Sequence, residues 1–258
     1  MKAHPISRRT IRSRSGLAAS TTSVLSLLAV APLHAADWKH EVAPYMWGAA
    51  MSGTTAVGPL EVDVDASFSD ILDNLEVGFM GSYRATRDRL SITVDGIYMG
   101  LGSDGRGPAG YVKGDVDLDQ AALEVDVGYE VLDRLTVFGG LRYNDLSVDI
   151  KTTGPLGVRS DSADEDWIDP VIGAHYTIGL GGDDKWSFTL RGDIGGFGVG
   201  SEFAWQGIGT LRWQASERIG VLGAYRYIDM EYENDNGNRD FKYDMSMSGP
   251  ALGVVFTF

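Results

Sequence analysis

The chain contains no cysteine, and this absence removes several chemistries at once. It can form no disulfide bridge, offers no thiolate nucleophile and cannot hold zinc or an iron–sulfur cluster through sulfur. Basic residues are also scarce, because 22 Lys and Arg stand against 36 Asp and Glu, which gives a formal net charge of −14. Such a chain repels phosphate backbones, so we expect no nucleic-acid partner.

Long hydrophobic runs are missing too, since no segment approaches the roughly 20 apolar residues of a membrane-spanning helix. The first 35 residues combine a basic stretch at 8–14, a short apolar stretch at 24–32 and a small-residue ending at Ala35. This pattern predicts a signal peptide over 1–35, cleaved to leave one domain over 36–258. Its removal leaves 17 basic against 36 acidic residues, a formal charge of −19. Ser7-Arg8-Arg9 also resembles a twin-arginine signal, the less favoured alternative.

From residue 76 onward, apolar and polar side chains alternate with period two. In the clearest segment, Leu123, Val125 and Val127 share one face while Glu124 and Asp126 share the other. This alternation is typical of β-strands with one apolar face. Further segments lie at about 41–52, 77–85, 90–98, 135–143, 172–178, 186–194, 205–213, 219–227 and 252–258. Together they predict ten antiparallel strands.

The connections between these segments alternate in length. Tight turns alternate with longer polar loops, the clearest at 53–75, 102–114, 151–166 and 232–240. This arrangement favours an all-β, transmembrane, antiparallel up-and-down β-barrel of about ten strands, with eight or twelve as alternatives. Only a closed barrel lets strands cross lipid without unpaired backbone groups. A secreted β-sandwich is the rival interpretation, although it favours shorter strands and more even loops.

The charged residues of the predicted strands lie on the polar face, which would line the lumen. The candidate lumen charge network is Arg84, Asp95, Glu124, Asp126, Arg142, Arg191, Asp193, Arg212 and Arg226. The simplest register across the turn at 132–134 sets Arg142 opposite Glu124. Such charges either satisfy one another and plug the barrel, or line a narrow polar path for small solutes.

Aromatic residues on the apolar face predict two interfacial girdles. One girdle, near the short turns, comprises Tyr83, Tyr129, Tyr176, Trp186, Trp213 and Phe256. The other, near the long loops, comprises Tyr45, Trp47, Phe79, Tyr98, Tyr143, Trp205, Tyr225 and Tyr227.

The first long loop carries the signal of a short helix, with Ser67 or Ser69 as the N-cap. Four apolar side chains in or near this helix are expected to be buried: Phe68, Ile71, Leu72 and Leu75. The helix could fold into the barrel mouth as a lid or constriction, or pack against the outer rim.

The last strand carries a family resemblance through Leu252, Val254, Phe256 and Phe258. A terminal aromatic after alternating apolar residues resembles the signal by which the outer-membrane assembly machinery recognises its substrates. The mature chain resembles the small outer-membrane β-barrel superfamily of the opacity-type proteins and outer membrane protein A. Segments 44–47, 67–75, 167–170, 195–201 with 205–206, and 225–227 resemble an uncharacterised proteobacterial group within it.

This resemblance implies a Gram-negative outer-membrane location. It also implies partners: outer-membrane lipid and lipopolysaccharide, the barrel-assembly machinery and periplasmic chaperones. It supplies no reaction.

The sequence therefore favours a non-enzymatic outer-membrane barrel that is structural or passively permeable. The alternatives are a porin-like narrow channel for small polar or amphipathic solutes, a surface adhesin or receptor acting through acidic loops, and a lipid-modifying enzyme. Only His40 and His175 remain after cleavage, and no Ser-His-acid arrangement is visible. No cofactor or metal is expected, because the acidic clusters lack the spacing of a calcium loop.

Overall fold

The computed structural model describes residues 38–57, 60–106, 113–154, 157–182, 185–234 and 241–258. The signal peptide predicted over 1–35 lies outside these residues. No helix in the described ranges is long and apolar enough to span a membrane.

The described residues form twelve β-strands and one short helix. In chain order they are β1 (Lys39–Trp47), β2 (Ala50–Val57), β3 (Leu60–Ala66), α1 (Phe68–Asp73), β4 (Leu75–Arg87), β5 (Leu90–Arg106), β6 (Lys113–Leu132), β7 (Leu135–Gly154), β8 (Gly157–Leu180), β9 (Trp186–Gly195), β10 (Phe203–Gln214), β11 (Ile219–Asn234) and β12 (Phe241–Thr257).

Ten of these strands close into an antiparallel barrel. Neighbours along the chain pair from β4 to β12, and β1 closes the ring by pairing with β4 on one side and β12 on the other. At this closure Val42 lies opposite both Tyr83 and Phe256. Strand β2 continues along β12, and β3 pairs with β2 alone, outside the ring. The prediction of a ten-stranded up-and-down barrel is confirmed.

The section of the barrel nearest the short turns has an apolar exterior. On β6 the outward Val125, Val127 and Tyr129 are 40–53% exposed, whereas the inward Glu124 and Asp126 are 4% and 3% exposed. The apolar face runs over 121–131, and about ten residues at ~3.3 Å each, tilted by ~40°, span roughly 25 Å. This height matches the apolar band of a transmembrane barrel, so we call this part the membrane section.

Beyond the membrane section the strands continue with inverted polarity, and we call this part the hairpin extension. On β11 the outward residues become Asp229, Glu231 and Glu233, while the inward Met230 and Tyr232 are 3% and 7% exposed. Strand β12 changes in the same way, with Met245 and Met247 buried.

The prediction of long polar loops at 102–114, 151–166 and 232–240 was therefore wrong for the described parts of these segments. Residues 102–106, 113–114, 151–154, 157–166 and 232–234 belong to strands. Where the side chains of these segments are described, the alternation continues with acidic residues outward, as at Asp164 and Asp166, and with Ala163 and Tyr232 inward. Searching for one fixed apolar face therefore mistakes strand for loop.

The hairpin extension has an aromatic and methionine core. Trp167 stacks on Tyr232 with ring centroids 4.1 Å apart, and Met245 is 2% exposed. Tyr232 also donates to Glu165 Oε2 at 3.3 Å, which joins β11 to β8 across this core. Burial, together with the charge of Glu165, raises the pKa of Tyr232 to about 12.

Three tyrosines mark the level at which the polarity inverts. The hydroxyls of Tyr98 and Tyr143 donate to Asp119 and Asp145 at 2.9 and 3.0 Å. Tyr227 makes the equivalent contact with Asp229, at 3.3 Å. Each tyrosine has its ring in the apolar band and its hydroxyl at the first outward acid, as expected at a membrane–water interface.

Two residues of the predicted outer girdle face the lumen instead. Tyr45 donates its hydroxyl to Asp95, and Trp47 is 8% exposed with its indole N–H donating to Gly249 O at 3.1 Å. The assignment of Tyr45 and Trp47 to the girdle was wrong. Both share the parity of Glu41, a charged residue whose side chain lies inside the barrel against Arg212, and that parity sets the face.

Candidate functional site: the barrel interior

An ionic layer crosses the lumen between β6, β7 and β9. Arg142 donates from Nε to Glu124 Oε2 at 2.6 Å and bridges to Asp193 Oδ1 at 2.8 Å. Arg191 also contacts Glu124, reaches Asp126 Oδ2 at 3.1 Å and donates to Asp193 Oδ2 at 3.0 Å. Two cations and three carboxylates thus share one connected network.

This layer is almost completely removed from solvent. Arg142 is 1%, Glu124 4% and Asp193 5% exposed. Buried charges of this kind persist only when they are paired and hydrogen-bonded, and loss of one partner leaves the others uncompensated. The layer therefore closes this part of the lumen. Its stability depends on each of the charged side chains that form it.

A second ion pair lies on the other side of the lumen. Arg226 on β11 donates from Nη1 to Asp95 Oδ1 on β5 at 3.1 Å, and Tyr45 on β1 donates to Asp95 Oδ2 at 2.9 Å. The guanidinium carbon of Arg226 also sits 5.0 Å from the ring centroid of Trp47, a cation–π contact.

The remaining arginines of the predicted network lie nearer the short turns. Arg212 pairs with Glu41 Oε1 at 3.0 Å. Arg84 makes its hydrogen bond to His175 Nε2, at 2.6 Å, and among the described residues it has no carboxylate within ion-pair distance. The structure thus joins seven of the nine predicted network residues in two networks and sets Arg84 and Arg212 apart.

Two cavities lined by described residues lie in the lumen. The first, about 340 Å³, lies on the short-turn side and is polar, with Arg84, His175, Arg191, Arg212 and several Ser and Thr hydroxyls in its lining. The second, about 110 Å³, lies on the hairpin side and is mainly apolar, lined by side chains such as Met80, Ile97, Met99, Ile228 and Met247. We call them the polar and the apolar cavity.

Four residues line both cavities: Tyr45, Asp95, Glu124 and Arg226. They form the wall between the two spaces, and we call them the partition. At this wall the lumen is closed by a hydrogen-bonded ion pair and a tyrosine rather than by backbone. A side-chain movement could therefore join the cavities without breaking any strand pairing.

Helix α1 borders the apolar cavity, and Phe68, Ile71, Leu72 and Leu75 all line it. Ser67 is the N-cap, with its side chain accepting from Asp70 N while Asp70 accepts from Ser67 N, a capping box. Ile71 is 8% exposed within the apolar core, whereas Phe68 and Leu72 are 44% and 47% exposed. A role as a lid stays a prediction.

The four residues of the predicted assembly signal all lie on the outer face of β12 or just after it. Leu252, Val254, Phe256 and Phe258 are 70%, 36%, 39% and 76% exposed. Strand β12 pairs with both β1 and β11, so it is one of the strands at which the ring closes. Recognition by an assembly machinery stays a prediction.

Sequence reasoning missed several residues of the interior. Gln206, which is 2% exposed and donates to Asp193 at 2.9 Å, is uncharged and gave no signal. Asp169 also faces inward, where it accepts hydrogen bonds from Ser201, Trp167 and Asn144 and holds the connection at 196–202 rather than joining the ionic layer. In the described ranges no three acidic or histidine side chains converge as a metal site.

Comparisons with known proteins assign no function to the chain. No protein-family model matches the chain, and a search of curated proteins finds no match. Among solved structures the chain is similar to Ail, the attachment invasion locus protein of Yersinia pestis, at 11% identity over 86% of this chain and 99% of that one, with a TM-score of 0.38.

Two autotransporter structures are also similar. The translocator domain of NalP from Neisseria meningitidis shares 13% identity over 91% of this chain and 92% of that one, with a TM-score of 0.43. The transport unit of AIDA-I from Escherichia coli shares 8% identity over 90% and 94%, with a TM-score of 0.42. These similarities are distant.

Proposed function

We propose that the chain is a non-enzymatic integral barrel of the Gram-negative outer membrane, exported through a signal peptide over 1–35. The apolar exterior of the membrane section supports a bilayer location, because hydrocarbon is the solvent that such a surface tolerates. Lipopolysaccharide and lipid would contact this exterior. Periplasmic chaperones and the assembly machinery would deliver the chain, with β12 as the strand they read.

Within that membrane the barrel passes small polar or amphipathic solutes through a gated, narrow lumen. The single observation that carries this proposal is that the four residues of the partition line both the polar and the apolar cavity. A purely structural barrel has no need of a cavity on each side of one ion pair. The resting state is closed, because the pair of Asp95 and Arg226 and the ionic layer fill the cross-section.

The histidines favour a role without catalysis. His175 hydrogen-bonds Arg84, and His40 hydrogen-bonds the Tyr83 hydroxyl at 2.8 Å. Neither contact is that of a base activating a serine.

The test is single-channel conductance in planar bilayers together with swelling of liposomes in small sugars. We expect the wild-type protein to give rare, brief openings. The double variant Asp95→Asn with Arg226→Gln removes the ion pair of the partition and should make openings more frequent. The double variant Glu41→Gln with Arg212→Gln is the matched control, since it neutralises a lumen ion pair away from the partition and should leave openings rare.

If neither the wild-type protein nor the partition variant passes current or solute, the gated channel is wrong and the structural role stands.

A second candidate, a surface receptor, is favoured by the acidic exterior of the hairpin extension. Asp117 lies opposite Asp149 and Asp145 opposite Asp166 on neighbouring strands, so like charges face one another. A cationic partner would relieve that repulsion. Loss of binding to host cells or to basic ligands in the Asp145→Asn, Asp166→Asn variant, with unchanged conductance, is the expected result of this alternative.

A further inference from the structure

The wall of the polar cavity carries more positive than negative groups. Four arginines and three carboxylates line this space of about 340 Å³: Arg84, Arg191, Arg212, Arg226, Glu41, Asp95 and Glu124. The rest of the ionic layer, Arg142, Asp126 and Asp193, is not part of this wall, and its surplus carboxylate balances the excess from behind. The excess positive charge is therefore local to the surface of the cavity, where a ligand would meet it.

Arg84 is the source of this excess. Each carboxylate of the wall is already paired with another arginine. Glu41 lies opposite Arg84 in the pairing of β1 with β4, but its Oε1 is 3.0 Å from Arg212 Nη1 and 3.1 Å from Lys39 Nζ. Among the described residues of the wall, Arg84 is thus the arginine without a carboxylate at ion-pair distance.

The hydrogen bond from Arg84 to His175 does not cancel this charge. Arg84 Nη2 lies 2.6 Å from His175 Nε2. Because a guanidinium group only donates, the imidazole nitrogen is the acceptor, and it brings no negative charge. The contact therefore holds the guanidinium in place and leaves its charge uncompensated. Arg84 is only half-buried in the wall of the cavity, so part of its surface is open to a ligand.

Two further arginines and a set of hydroxyls can share a bound anion with Arg84. The side chains of Arg212 and Arg191 are 23% and 16% exposed, and both line the cavity. The hydroxyls of the wall belong to Ser82, Thr93, Thr177, Ser187, Thr189 and Thr210. Guanidinium and hydroxyl groups donate hydrogen bonds, and those to an ionised oxygen are the stronger ones. The wall therefore suits the oxygens of a carboxylate or a phosphate.

The end of the barrel next to this site is also basic. A space of about 350 Å³ lies beside the short turns and is lined by Lys39, Lys185, Ser187, Arg212, Gln214, Glu217 and Thr257. It shares Arg212 and Ser187 with the polar cavity, so the two spaces adjoin. Three cations against one carboxylate raise the local concentration of anions. An anion is thus favoured at the end of the barrel as well as beside Arg84.

We propose that the polar cavity binds a small oxyanion, a carboxylate or a phosphate, through Arg84, while Arg212 and the hydroxyls of the wall hold its remaining oxygens. The cavity has more than twice the roughly 150 Å³ of an engineered cavity that holds benzene, so a small organic anion fits together with water. Binding is weak, because a solute that passes through a lumen must also leave it. This inference rests on the proposed function and names its solute class.

The test is a 19F NMR titration with the protein in nanodiscs of zwitterionic lipid, compared with empty nanodiscs. Three probes of similar size differ in charge: trifluoroacetate is an anion, trifluoroacetamide is neutral and 2,2,2-trifluoroethylammonium is a cation. Trifluoroacetate should bind at least about tenfold more tightly than the other two, since a hydrogen bond between charged groups is worth that factor. Equal binding of the three probes would overturn the oxyanion site.

Unlabelled anions show which oxyanion the site prefers. Acetate and phosphate are each added to bound trifluoroacetate at constant ionic strength, with sodium chloride as the balancing salt. Stronger displacement by acetate identifies a carboxylate site, and stronger displacement by phosphate identifies a phosphate site. If neither displaces the probe better than sodium chloride does, the protein only attracts anions through a general field that salt screens, and the oxyanion site is wrong.

Three variants test the position of the site. Arg84→Gln removes the unpaired cation and should weaken trifluoroacetate binding at least about tenfold, and Arg84→Lys, which keeps the charge, should lose less. Arg134→Gln is the matched control, because it removes the same charge from a side chain that is 55% exposed and lies outside the cavity. This control should bind as wild type. Equal weakening by Arg84→Gln and Arg134→Gln would contradict a site at Arg84.

Glu41→Gln should change the affinity in the opposite direction. It releases Arg212 and removes the negative charge opposite Arg84, so trifluoroacetate should bind at least about threefold more tightly. Gel mobility without boiling confirms that each variant is folded. If Arg84→Gln does not fold, Glu41→Gln still decides, because unchanged or weaker binding in that variant would exclude an anion between these groups.

Failure of this inference and failure of the proposed function have different signatures. If the partition variant stays closed to ions and sugars while trifluoroacetate binds and Arg84→Gln loses it, the gated channel is wrong and the oxyanion site stands. If the partition variant opens while Arg84→Gln binds trifluoroacetate as wild type does, the channel stands and the oxyanion site is wrong.

Discussion

The membrane section and the hairpin extension are built from the same strands with opposite polarity. On β11 the outward residues change from Val221 and Tyr225 to Asp229 and Glu231, while the inward residues change from Arg226 to Ile228 and Met230. The lower part of the strand is dissolved in lipid around a charged interior, and the upper part is dissolved in water around an apolar core. The same period-two alternation suits both lipid and water, because the apolar side chains face outward in the lower part and inward in the upper part.

The two regions are also stabilised by different interactions. The membrane section gains nothing from placing apolar groups inside, since lipid is as apolar as its own side chains, and so its interior can hold charges. The hairpin extension depends on burial of apolar area, as a soluble domain does. Substitutions should therefore have opposite effects in the two regions.

The largest effect should come from breaking the ionic layer. Arg142→Leu removes one of the two cations of the layer, leaves Arg191 alone to balance three buried carboxylates and should lower the free energy of unfolding by about 3–5 kcal/mol. Denaturant titration in lipid vesicles measures it. Arg134→Leu is the control, because its side chain is 55% exposed beside Asp133 and the change should stay below about 1 kcal/mol. Equal losses in both variants would mean that the layer is not the buried network described.

The core of the hairpin extension should be nearly as sensitive. Met245→Ala removes a side chain that is 2% exposed and should destabilise the protein by about 2–5 kcal/mol, because a cavity remains. Leu252→Ala on the same strand should cost less than about 1 kcal/mol, since lipid chains fill the vacated space. Hydrogen exchange of β12 compares the two variants. If Leu252→Ala destabilised the protein more than Met245→Ala, Leu252 would not face lipid and Met245 would not lie in the core of the hairpin extension.

The next largest difference should come from a positive charge introduced on the outer face, which should destabilise the membrane section but not the hairpin extension. Val127→Arg introduces a cation near the middle of the apolar band and should destabilise by about 2–4 kcal/mol. Asp149→Arg, on the same outward face of the hairpin extension, should leave stability unchanged or raise it slightly, because Asp149 faces Asp117. Folding into vesicles at increasing urea measures both, and an equal response at the two sites would contradict the inversion.

The smallest effect should be the acid response of α1. Hydrogen bonds from the Ser67 side chain and backbone lower the pKa of Asp70, which is exposed to solvent. A carboxyl with a lowered pKa contributes stability that is present above its ordinary value near ~3.9 and is lost as pH falls through the folded value. The amide of Ile71 should therefore exchange faster only below about pH 4.

Ser67→Ala supplies the comparison for α1. This variant should show fast exchange of the Ile71 amide at neutral pH as well, because the capping box is already broken. If hydrogen exchange of the Ile71 amide were independent of pH in the wild-type protein, the capping box would not stabilise α1.

Much of the membrane section could be predicted from the sequence, because its apolar and polar residues alternate with period two and the apolar residues stay on the same face. Alternation along β6 and charges restricted to one parity gave the strands, the strand number and the inward position of Glu124 and Arg142. Tyr45 and Trp47 were misassigned, although Glu41 marked their parity as inward. The hairpin extension was mistaken for loops because its apolar residues change phase, which a search for one continuous apolar face rejects.

The end of the pairing between β1 and β4, and the partition, lay beyond sequence reasoning. Proline at position 44 is visible in the sequence, but that β1 and β4 separate beyond it depends on their pairing with β12 and β5. The meeting of Arg226 with Asp95 joins strands far apart in the chain, so only the closed ring shows it. Pairings between neighbouring strands follow from turns, whereas contacts across the lumen do not.

The most direct test of the inversion is a nitroxide scan of β11 in lipid vesicles, made simple by the absence of cysteine. Labels at Val221, Gly223 and Tyr225 should be accessible to oxygen and protected from a water-soluble relaxation agent. Labels at Asp229, Glu231 and Glu233 should show the reverse, and labels at the even positions should be shielded from both. If the first three labels were instead shielded from oxygen, in a chain that stays in solution without lipid, the transmembrane barrel would be wrong.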